Sequence, residues 1–279
     1  MQIISDPQRM QRWSREFRRS GKHLGFVPTM GALHAGHLSL VKMASTQCDA
    51  VVASIFVNPL QFGPNEDFAK YPRTFERDCE MLEAEKVSAV FAPSKEEMYP
   101  ADAKTTIDVA ELSNRLDGGS RPGHFKGVAT VVAKLFNIVQ PDRAYFGQKD
   151  AAQVAVLKRM VRDLNFDLEI VVAPIVREAD GLALSSRNVY LDPQQRKQAL
   201  VLSRALNRIS FLRDQGDTSA ASLIRHGKQI IADEPGARVD YLAIVDPNTL
   251  EPVEDVSKGA LVAVAAWFGT TRLIDNLLF

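Results

Sequence analysis

Two histidines separated by two residues form the most chemically informative unit of the chain, His34-Ala-Gly-His37. The apolar run from Leu24 to Val27 precedes them and predicts a short buried strand, which Pro28 and Gly31 end. Apolar residues at mixed helical spacing follow, so the unit is predicted to be strand, tight turn and helix. The imidazoles then lie at a helix N-terminus, where unpaired N–H groups and the helix dipole attract anions.

Two other roles remain open for this pair of histidines. Histidines three residues apart on a helix bind metal ions, but the sequence shows no clear third and fourth ligand. Two hydrogen-bonded structural histidines are the other alternative. Gly36 favours anion binding, because a residue without a side chain lets a planar ligand or a phosphate approach the backbone closely.

Two later segments also carry groups suited to phosphate. Gly147-Gln-Lys-Asp150 stands where a strand is predicted to pass into a helix, and Lys149 supplies an ammonium group. Ser185-Ser186-Arg187-Asn188 offers two hydroxyls beside a guanidinium, which binds phosphate oxygens in a bidentate fork. Each segment alone is weak evidence for phosphate binding, because a lysine at the start of a helix or a polar tetrapeptide in a loop is most often simply exposed to solvent.

Several nucleotide-binding classes are excluded or disfavoured by the motifs that the chain lacks. No G-x-x-x-x-G-K-[ST] sequence is present, so this is not a P-loop protein. No G-x-G-x-x-G follows the first predicted strand, which disfavours dinucleotide redox chemistry.

The composition is that of an ordinary globular protein of one large or two modest domains. The 279 residues are 46% hydrophobic and 24% charged, with 34 basic and 34 acidic side chains. Zero net charge argues against bulk binding of nucleic acid but allows a local basic pocket. Cys48 and Cys79 are the only cysteines, so no disulfide framework or cysteine-based zinc cluster is expected, and a reducing compartment fits.

The first residues are predicted to form a helix rather than a targeting segment. They include no apolar region of the kind found in secretory signals. Residues 9–19 are rich in arginine, as in a transit peptide, but Asp6 and Glu16 weaken that alternative. Asp6-Pro7 matches an N-cap followed by proline at the first helical position. No stretch reaches the length of a membrane span.

Strands alternate with helices over the first two thirds of the chain, which predicts an α/β fold with a doubly wound, parallel, Rossmann-like sheet. The predicted strands are 24–27, 49–57, 88–92, 143–146 and 168–176, and the predicted helices include 74–85, 127–139 and 151–162. Residues 58–73 are predicted to be a long loop at the carboxyl end of a strand, where open α/β sheets bind ligands. Residues 93–127 are irregular, and Arg121 and His124 among them suit a solvated loop, a lid or an anion clamp.

The pattern changes beyond residue 176. Residues 177–188 interrupt the apolar periodicity, and helices at 193–213 and 219–232 and strands at 239–245 and 260–267 are predicted after them. We therefore expect a Rossmann-like domain over residues 1–176 and a smaller α+β C-terminal lid domain over residues 177–279.

Four separate segments resemble one family, the pantoate–β-alanine ligases of the nucleotidyltransferase superfamily. They are VPTMGALHAGH, FVNPLQFGPNEDFAKYPRT, RPGHFKGVATVVAKLFNIVQPDRAYFGQKDAAQ and LALSSRNVYL. The resemblance runs from about residue 24 to residue 191, and the predicted C-terminal elements suit the family's small second domain. The H-x-G-H unit paired with a serine and arginine loop marks the wider superfamily, which includes class I aminoacyl-tRNA synthetases.

The resemblance implies an AMP-forming ligase that makes a coenzyme A precursor in two steps. Pantoate would attack the α-phosphate of ATP to give pantoyl adenylate and pyrophosphate. The amine of β-alanine would then attack the adenylate to give pantothenate and AMP. The nucleophile of the first step is the substrate carboxylate, so the protein must chiefly position reactants and neutralise charge on the phosphates.

The resemblance also assigns site residues by position. The ATP-binding residues would be Met30, Gly31, Ala32, Leu33, His34, Ala35, Gly36, His37, Gly147, Gln148, Lys149, Asp150, Val176, Leu184, Ser185, Ser186 and Arg187. His37 matches the residue usually assigned as proton donor in the family, and His34, Lys149 and Arg187 would act with it at the phosphates. Val176 would meet adenine through its backbone. By the same resemblance, Gln61 would contact pantoate and β-alanine, and Gln153 would contact pantoate. Amide side chains suit the hydroxyl-rich pantoate, since each donates and accepts hydrogen bonds.

A magnesium ion is expected with the nucleotide. The resemblance assigns Asp78 as an acid that helps to hold Mg²⁺, while the alternative is an ordinary acid on a helix surface. Synthetases of the superfamily carry lysines where this chain has Arg187, which leaves Lys149 as the main ammonium group at the phosphates.

Two other functions remain as alternatives. The first is a nucleotidyltransferase of the same superfamily that acts on another small acid or phosphate and leaves a stable nucleotide product. The second is a regulator that binds ATP without releasing pyrophosphate. A tRNA synthetase is disfavoured, because 279 residues of zero net charge include no basic anticodon-binding domain. By resemblance we expect a homodimer that binds small molecules. The zero net charge, the lack of a membrane-span segment and the cysteine usage favour a cytoplasmic protein that binds neither nucleic acid nor membranes.

Overall fold

A six-stranded parallel sheet forms the first part of the molecule. The computed structural model describes residues 1–64 and 66–279. The strands are β1 (Gln2–Ile4), β2 (Leu24–Thr29), β3 (Ala50–Ile55), β4 (Ala89–Phe91), β5 (Arg143–Gly147) and β6 (Glu169–Ala173). Their order in space is β1-β4-β3-β2-β5-β6, and every pairing is parallel. The chain winds away from β2 in opposite directions, so a crevice opens between the carboxyl ends of β2 and β5.

Helices connect the strands and cover the sheet. They are α1 (Pro7–Arg19), α2 (Ala35–Gln47), α3 (Phe75–Ala84), α4 (Lys95–Met98), α5 (Asp117–Ser120), α6 (His124–Val139) and α7 (Ala151–Asp163). The Asp6 carboxylate caps α1 by accepting a hydrogen bond from the N–H of Arg9, and Pro7 occupies the first turn, as the sequence predicts. The most buried of these helices is α6, whose side chains are buried on nearly every face.

The predicted doubly wound parallel sheet is confirmed, but the structure corrects several boundaries. Strand β1 was not predicted, and β6 ends at Ala173 rather than residue 176 because the next residue, Pro174, has no N–H to donate to the sheet. The prediction that residues 93–127 are irregular is wrong in part, since α4, α5 and the first turn of α6 lie there. Helix α6 begins at His124, after Gly123 in the left-handed region at φ 83°.

A three-stranded antiparallel sheet and three helices make up the rest of the chain. The elements are α8 (Pro193–Gln198), α9 (Val201–Asp214), α10 (Ala220–Ala232), β7 (Ala237–Val245), β8 (Leu261–Phe268) and β9 (Thr271–Leu278). The predicted helix 193–213 is two helices, and β9 was not predicted. Because the polar residues Arg272, Asp275 and Asn276 interrupt its apolar residues, β9 has no apolar run from which a strand is predicted.

Both faces of the small sheet are buried. Val262 and Val264 of β8 pack in a cluster with α9 and α10. Leu261 and Ala263 of the same strand belong to the core cluster that contains α6 and α7. The C-terminal part therefore shares a hydrophobic core with the Rossmann-like part, and the division near residue 176 stays a prediction.

None of the helices in the described ranges is both long enough and apolar enough to cross a membrane. The thiols of Cys48 and Cys79 are not joined to each other.

Candidate active site

A cavity of about 240 Å³ lies at the carboxyl ends of β2 and β5, where the strand order reverses. It brings together most of the residues that the sequence assigns to the site, including both histidines. The predicted residues that line it are Met30, His34, Gly36, His37, Gln61, Gly147, Lys149, Asp150, Gln153, Val176, Leu184, Ser185, Ser186 and Arg187. A second cavity of about 890 Å³, named the outer cavity, adjoins it, and the two share Arg121, His124, Lys149, Asp150, Gln153, Ser185 and Arg187.

The other predicted residues lie behind this wall. Gly31, Ala32, Leu33, Ala35 and Gln148 are not among the residues that line the cavity. Asp78 is also absent from the lining and is only 1% exposed. The alternative that Asp78 is an ordinary acid on a helix surface is therefore wrong.

Asp78 holds the turn between β2 and α2 in place. Its two carboxylate oxygens accept hydrogen bonds from the backbone N–H groups of Ala32 (2.9 Å) and Leu33 (2.8 Å). The hydroxyl of Thr74 also donates to it, at 3.1 Å. Gly31 is in the left-handed region at φ 80°, and a Cβ there would come within 2.9 Å of the Asp78 carboxylate. This acid thus fixes the backbone that leads into His34.

The hydrogen bonds of the two histidines define which ring nitrogen carries the proton. His34 Nδ1 accepts the N–H of Gly36 at 3.1 Å, and His37 Nδ1 accepts the N–H of His34 at 3.3 Å. An accepting Nδ1 is unprotonated, so each neutral ring carries its proton on Nε2. Gly36 is required here, because a Cβ would lie 2.9 Å from the His34 ring.

Both imidazoles are neutral near pH 7. Burial lowers the pKa of His37 to about 3, with further lowering by His34 and Lys149. Burial also lowers the pKa of His34 to about 4, with Lys149 adding to the effect. The rings therefore offer neutral N–H donors, and a bound polyanion raises both pKa values because it favours the protonated forms.

The segment Gly147–Asp150 joins β5 to α7 and presents Lys149 to the cavity. Lys149 Nζ lies 3.8 Å from an oxygen of Asp150, and only 20% of its side chain is exposed. Asn276 of β9, which is buried, donates from its amide to the carbonyls of Gln148 and Lys149, each at 2.9 Å. No pattern in the sequence points to this role of Asn276, because only the fold brings β9 to this turn.

The segment Leu184–Arg187 forms the opposite wall. Its Leu184 N–H donates to the carbonyl of Val176 at 3.0 Å, which ties the two predicted ATP contacts together. Ser186 lies 3.3 Å from the hydroxyl of Tyr71, oxygen to oxygen. The Arg187 guanidinium forms a fork with Asp67, with Nε and one terminal nitrogen each 3.0 Å from a carboxylate oxygen. Asp67 and Tyr71 thus orient this segment, and both lie in the predicted loop 58–73.

Amide and apolar side chains complete the inner end of the cavity. Gln61 Oε1 accepts from the amide of Asn58 at 3.1 Å, and Gln61 Nε2 lies 3.1 Å from the sulfur of Met30. The Tyr99 hydroxyl donates to Asn58 Oδ1 at 2.8 Å, so the buried Asn58 sets the position of Gln61. An apolar wall lies beside them and consists of Phe56, Val128, Val131, Val132 and Leu135. Asn58 was interpreted from the sequence only as a turn residue.

Arg121 and His124 also face the cavity and are not part of a solvated loop. His124 Nδ1 donates to the carbonyl of Gln61 at 2.8 Å, and Arg121 forms a bidentate pair with Glu66 at 2.6 and 2.7 Å. This geometry fits the predicted anion clamp better than a solvated loop.

The described residues contain no group of three or more His, Cys, Asp or Glu side chains placed to share a metal ion. Asp78 fits a metal poorly, since both of its oxygens already accept hydrogen bonds. Asp150 fits better, because its half-exposed carboxylate lines the cavity beside Lys149.

Comparisons with known proteins give one family. A family model described as pantoate-beta-alanine ligase matches residues 2–278. The pantothenate synthetase of Koribacter versatilis is 64% identical over 278 residues, which cover 100% of this chain and 96% of the relative. That of Acidobacterium capsulatum is 67% identical over 257 residues, or 92% of this chain and 86% of the relative.

Solved structures agree with this result. A crystal structure of pantothenate synthetase from Thermus thermophilus has a TM-score of 0.94 at 50% identity and covers 99% of both chains. The Francisella tularensis pantoate-beta-alanine ligase complexed with beta-gamma ATP and beta-alanine has a TM-score of 0.78 at 35% identity, covering 100% of this chain and 97% of that one. The chain therefore belongs to the pantoate–β-alanine ligase family of enzymes.

Proposed function

We propose that this cleft joins pantoate to β-alanine at the expense of ATP, through a pantoyl adenylate. One observation carries the proposal. Three segments suited to anions, at His34/His37, Lys149 and Ser185–Arg187, converge on one cavity that Gln61 and Gln153 also line. A triphosphate beside an amide-lined pocket is the arrangement that activation of a hydroxy acid requires.

In the first step, a carboxylate oxygen of pantoate attacks the α-phosphorus of ATP. The new bond is phosphorus to oxygen, and the bond that breaks releases pyrophosphate. The protein supplies N–H donors from His34 and His37 Nε2 and positive charge from Lys149 and Arg187. No side-chain nucleophile is needed, because the substrate itself attacks.

In the second step, the amine nitrogen of β-alanine attacks the acyl carbon of the adenylate. An amide bond forms, the acyl–oxygen bond to AMP breaks, and the nitrogen loses its extra proton. The outer cavity gives the amine a path to the adenylate, since it adjoins the inner one at Gln153 and Lys149.

We propose that ATP contacts the predicted residues that line the cavity, which are Met30, His34, Gly36, His37, Gly147, Lys149, Asp150, Val176 and Leu184–Arg187. Pantoate contacts Gln61 and Gln153, whose amides suit its hydroxyls and carboxylate. The apolar wall at Phe56, Val128 and Val131 suits the two methyl groups of pantoate. His37 is proposed as the principal donor to the phosphates, because its proton is on Nε2.

A magnesium ion is proposed to enter with the triphosphate, where it would neutralise phosphate charge. Asp150 is the carboxylate best placed to help hold it, with phosphate oxygens and water as the remaining ligands. We propose that Asp78, to which the family resemblance assigns a metal-binding role, instead supports the backbone of Gly31–Leu33.

We further propose a homodimer in the cytoplasm. The apolar run DAVVASIFV does not support a dimer interface, since β3 lies between β2 and β4 inside the sheet. The dimer therefore rests on the family resemblance, and sedimentation equilibrium tests it. A cytoplasmic location is supported by the use of ATP, which is an intracellular substrate.

The alternative function, a nucleotidyltransferase with a stable nucleotide product, is separated by product analysis. Purified protein is mixed with ATP and pantoate, with and without β-alanine, and pyrophosphate and AMP are measured. The ligase predicts that pyrophosphate requires pantoate and that free AMP accumulates only when β-alanine is present. The alternative would be supported if pyrophosphate release did not depend on β-alanine and if the nucleotide ester remained intact after β-alanine was added.

A further inference from the structure

Arg121 lies where the inner and outer cavities meet and has no role in the proposed adenylation. Within the described ranges, three lysine or arginine side chains line both cavities: Arg121, Lys149 and Arg187. Lys149 and Arg187 belong to the phosphate-binding segments. Arg121 is therefore the cation left for a second anionic group at this boundary.

The guanidinium of Arg121 is held against Gln61, which the resemblance assigns to contact both pantoate and β-alanine. One terminal nitrogen donates to the Gln61 carbonyl at 3.3 Å. The other lies 3.0 Å from His124 Nε2, while His124 Nδ1 donates to that same carbonyl at 2.8 Å. A ring with its proton on Nδ1 accepts at Nε2, so His124 and Gln61 together orient the guanidinium.

A carboxylate already occupies the binding edge of Arg121. Glu66 accepts from Nε at 2.7 Å and from a terminal nitrogen at 2.6 Å, which is the fork geometry of arginine with a carboxylate. The pair is largely shielded, with 18% of the arginine side chain and 25% of the glutamate side chain exposed. Glu66 also lines the outer cavity, so an internal acid lies on the path from that cavity to Gln61.

We propose, on the basis of the proposed ligase function, that Arg121 binds the carboxylate of β-alanine and that Glu66 occupies this position until the substrate displaces it. A carboxylate anchored at Arg121 directs the amine inward, past Gln61, towards the adenylate. It also keeps the negative end of β-alanine away from the phosphates. The site therefore selects short amino acids with a terminal carboxylate over amines that lack one.

The first test replaces Arg121 by glutamine and follows the two steps separately. Pyrophosphate release from ATP and pantoate alone reports adenylation, and we expect it to change far less than the second step. The KM for β-alanine should rise on the order of 10- to 100-fold, the worth of a charge-assisted fork. The unaltered protein should prefer β-alanine to its neutral amide, 3-aminopropanamide, and the variant should lose that preference.

Arg115→Gln is the matched control, because Arg115 pairs with Glu251 (3.1 Å) and lines neither cavity. It should leave the KM for β-alanine within about 2-fold of the parent, a change below the worth of one hydrogen bond. Circular dichroism and thermal unfolding establish that each variant is folded.

The second test replaces Glu66 by glutamine, which removes the internal competitor and leaves Arg121 in place. The KM for β-alanine should fall several-fold, and this result decides the proposal if the Arg121 variant does not fold. An unchanged or higher KM in E66Q, or an unchanged KM and amide discrimination in a folded R121Q, overturns the assignment. Absence of pantoate-dependent pyrophosphate release by the unaltered protein would instead contradict the ligase function itself.

Discussion

At the level of single residues, hydrogen-bond partners define what each predicted side chain is able to do. The two histidines are neutral donors because their Nδ1 atoms accept backbone N–H groups and burial lowers their pKa values. In the proposed adenylation, positive charge at the phosphates therefore comes from Lys149 and Arg187. Arg187 is oriented by Asp67, so its fork is rigid but partly neutralised, whereas Lys149 contacts Asp150 only at 3.8 Å.

Replacement of Lys149 by alanine should therefore reduce the rate of adenylation far more than the binding of pantoate. Loss of one preorganised cation at the phosphates costs roughly 3 kcal/mol of transition-state stabilisation, or about 100-fold in rate. Pyrophosphate release and pantoate affinity are measured side by side. Lys158→Ala, an exposed lysine on α7, is the control. Normal adenylation by K149A would refute the role of Lys149.

Replacement of Asp78 by alanine should lower the free energy of unfolding by about 3 kcal/mol, because two backbone donors of a tight turn lose their acceptor. Urea unfolding is measured in EDTA without nucleotide. Glu80→Ala, at an exposed position on α3, is the control. A variant of unchanged stability whose only defect is a higher requirement for Mg²⁺ would show that Asp78 acts as a metal ligand instead.

The lowered pKa of His37 predicts how stability changes with pH. Its folded pKa, about 3, lies below its ordinary value of 6.5, so the unfolded chain takes up the proton first as the pH falls. The stabilisation is complete above pH 6.5 and is lost as the pH falls towards the folded pKa. His37→Asn should therefore show a shallower loss of unfolding free energy between pH 7 and pH 5 than the parent. Identical slopes would mean that the imidazole is not buried neutral.

At the level of secondary-structure elements, the site depends on close approach between helix α6 and the segment after β3. Gly127 makes that approach possible, because a Cβ at this position would overlap the Leu60 carbonyl. The Gly127 carbonyl also accepts from the amide of Asn58 at 3.1 Å. A glycine in a helix interior costs stability unless packing requires it, and here packing does.

Gly127→Ala should destabilise the protein by about 1–3 kcal/mol and weaken pantoate binding, because the backbone of Leu60 and Gln61 must shift. Denaturant unfolding and equilibrium binding of pantoate measure the two effects. Gly63→Ala is the comparison for stability, since a Cβ there meets only the Glu66 side chain at 3.7 Å. Equal stability of the two variants would show that the contact at Gly127 is not tight.

The sequence predicted the elements that carry long apolar runs and missed those that depend on partners. The units β2–α2 and β5–α7 were predicted from their breaks at glycine and proline. Strand β1 has only three residues, and it forms only because it pairs with β4. Strand β9 reads Thr-Arg-Leu-Ile-Asp-Asn-Leu-Leu, in which polar and apolar residues come in pairs and lack the alternation that indicates a strand. Its Asn276 reaches the site only because β8 pairs with it.

The side-chain pairs in the site could also not be predicted from the sequence. Asp67 and Glu66 lie in a polar stretch with no periodicity, so nothing in the chain marks their arginine partners 120 and 55 residues away. Asp78 was predicted to hold a metal ion because the family resemblance assigned that role. Only the fold shows that its carboxylate faces the turn at Ala32 and Leu33.

At the level of the entire chain, the two sheets are joined by a common core. Val245, Leu250, Leu261 and Ala263 belong to the same cluster as the buried residues of α6. The ion pair between Arg272 and Asp117, at 2.7 Å, also links β9 to α5. Motion of the C-terminal part as a separate lid would have to break these contacts.

Thermal unfolding should accordingly be one cooperative transition, with equal calorimetric and van't Hoff enthalpies. Leu250→Ala should lower the midpoint of that single transition, because it opens a cavity in the shared core. Differential scanning calorimetry is the measurement. Two resolved transitions, only one of which responds to L250A, would show two independent domains.

The reaction proposed for the cavity between β2 and β5 begins when the carboxylate of pantoate attacks the α-phosphorus of ATP. Isotope transfer follows that bond: pantoate with ¹⁸O in both carboxylate oxygens is supplied with ATP and β-alanine, and the products are analysed by mass spectrometry. We expect one ¹⁸O atom in AMP, none in pyrophosphate and one in the amide carbonyl of pantothenate. Label in a phosphate released from the γ-position, or AMP without label, would contradict this mechanism.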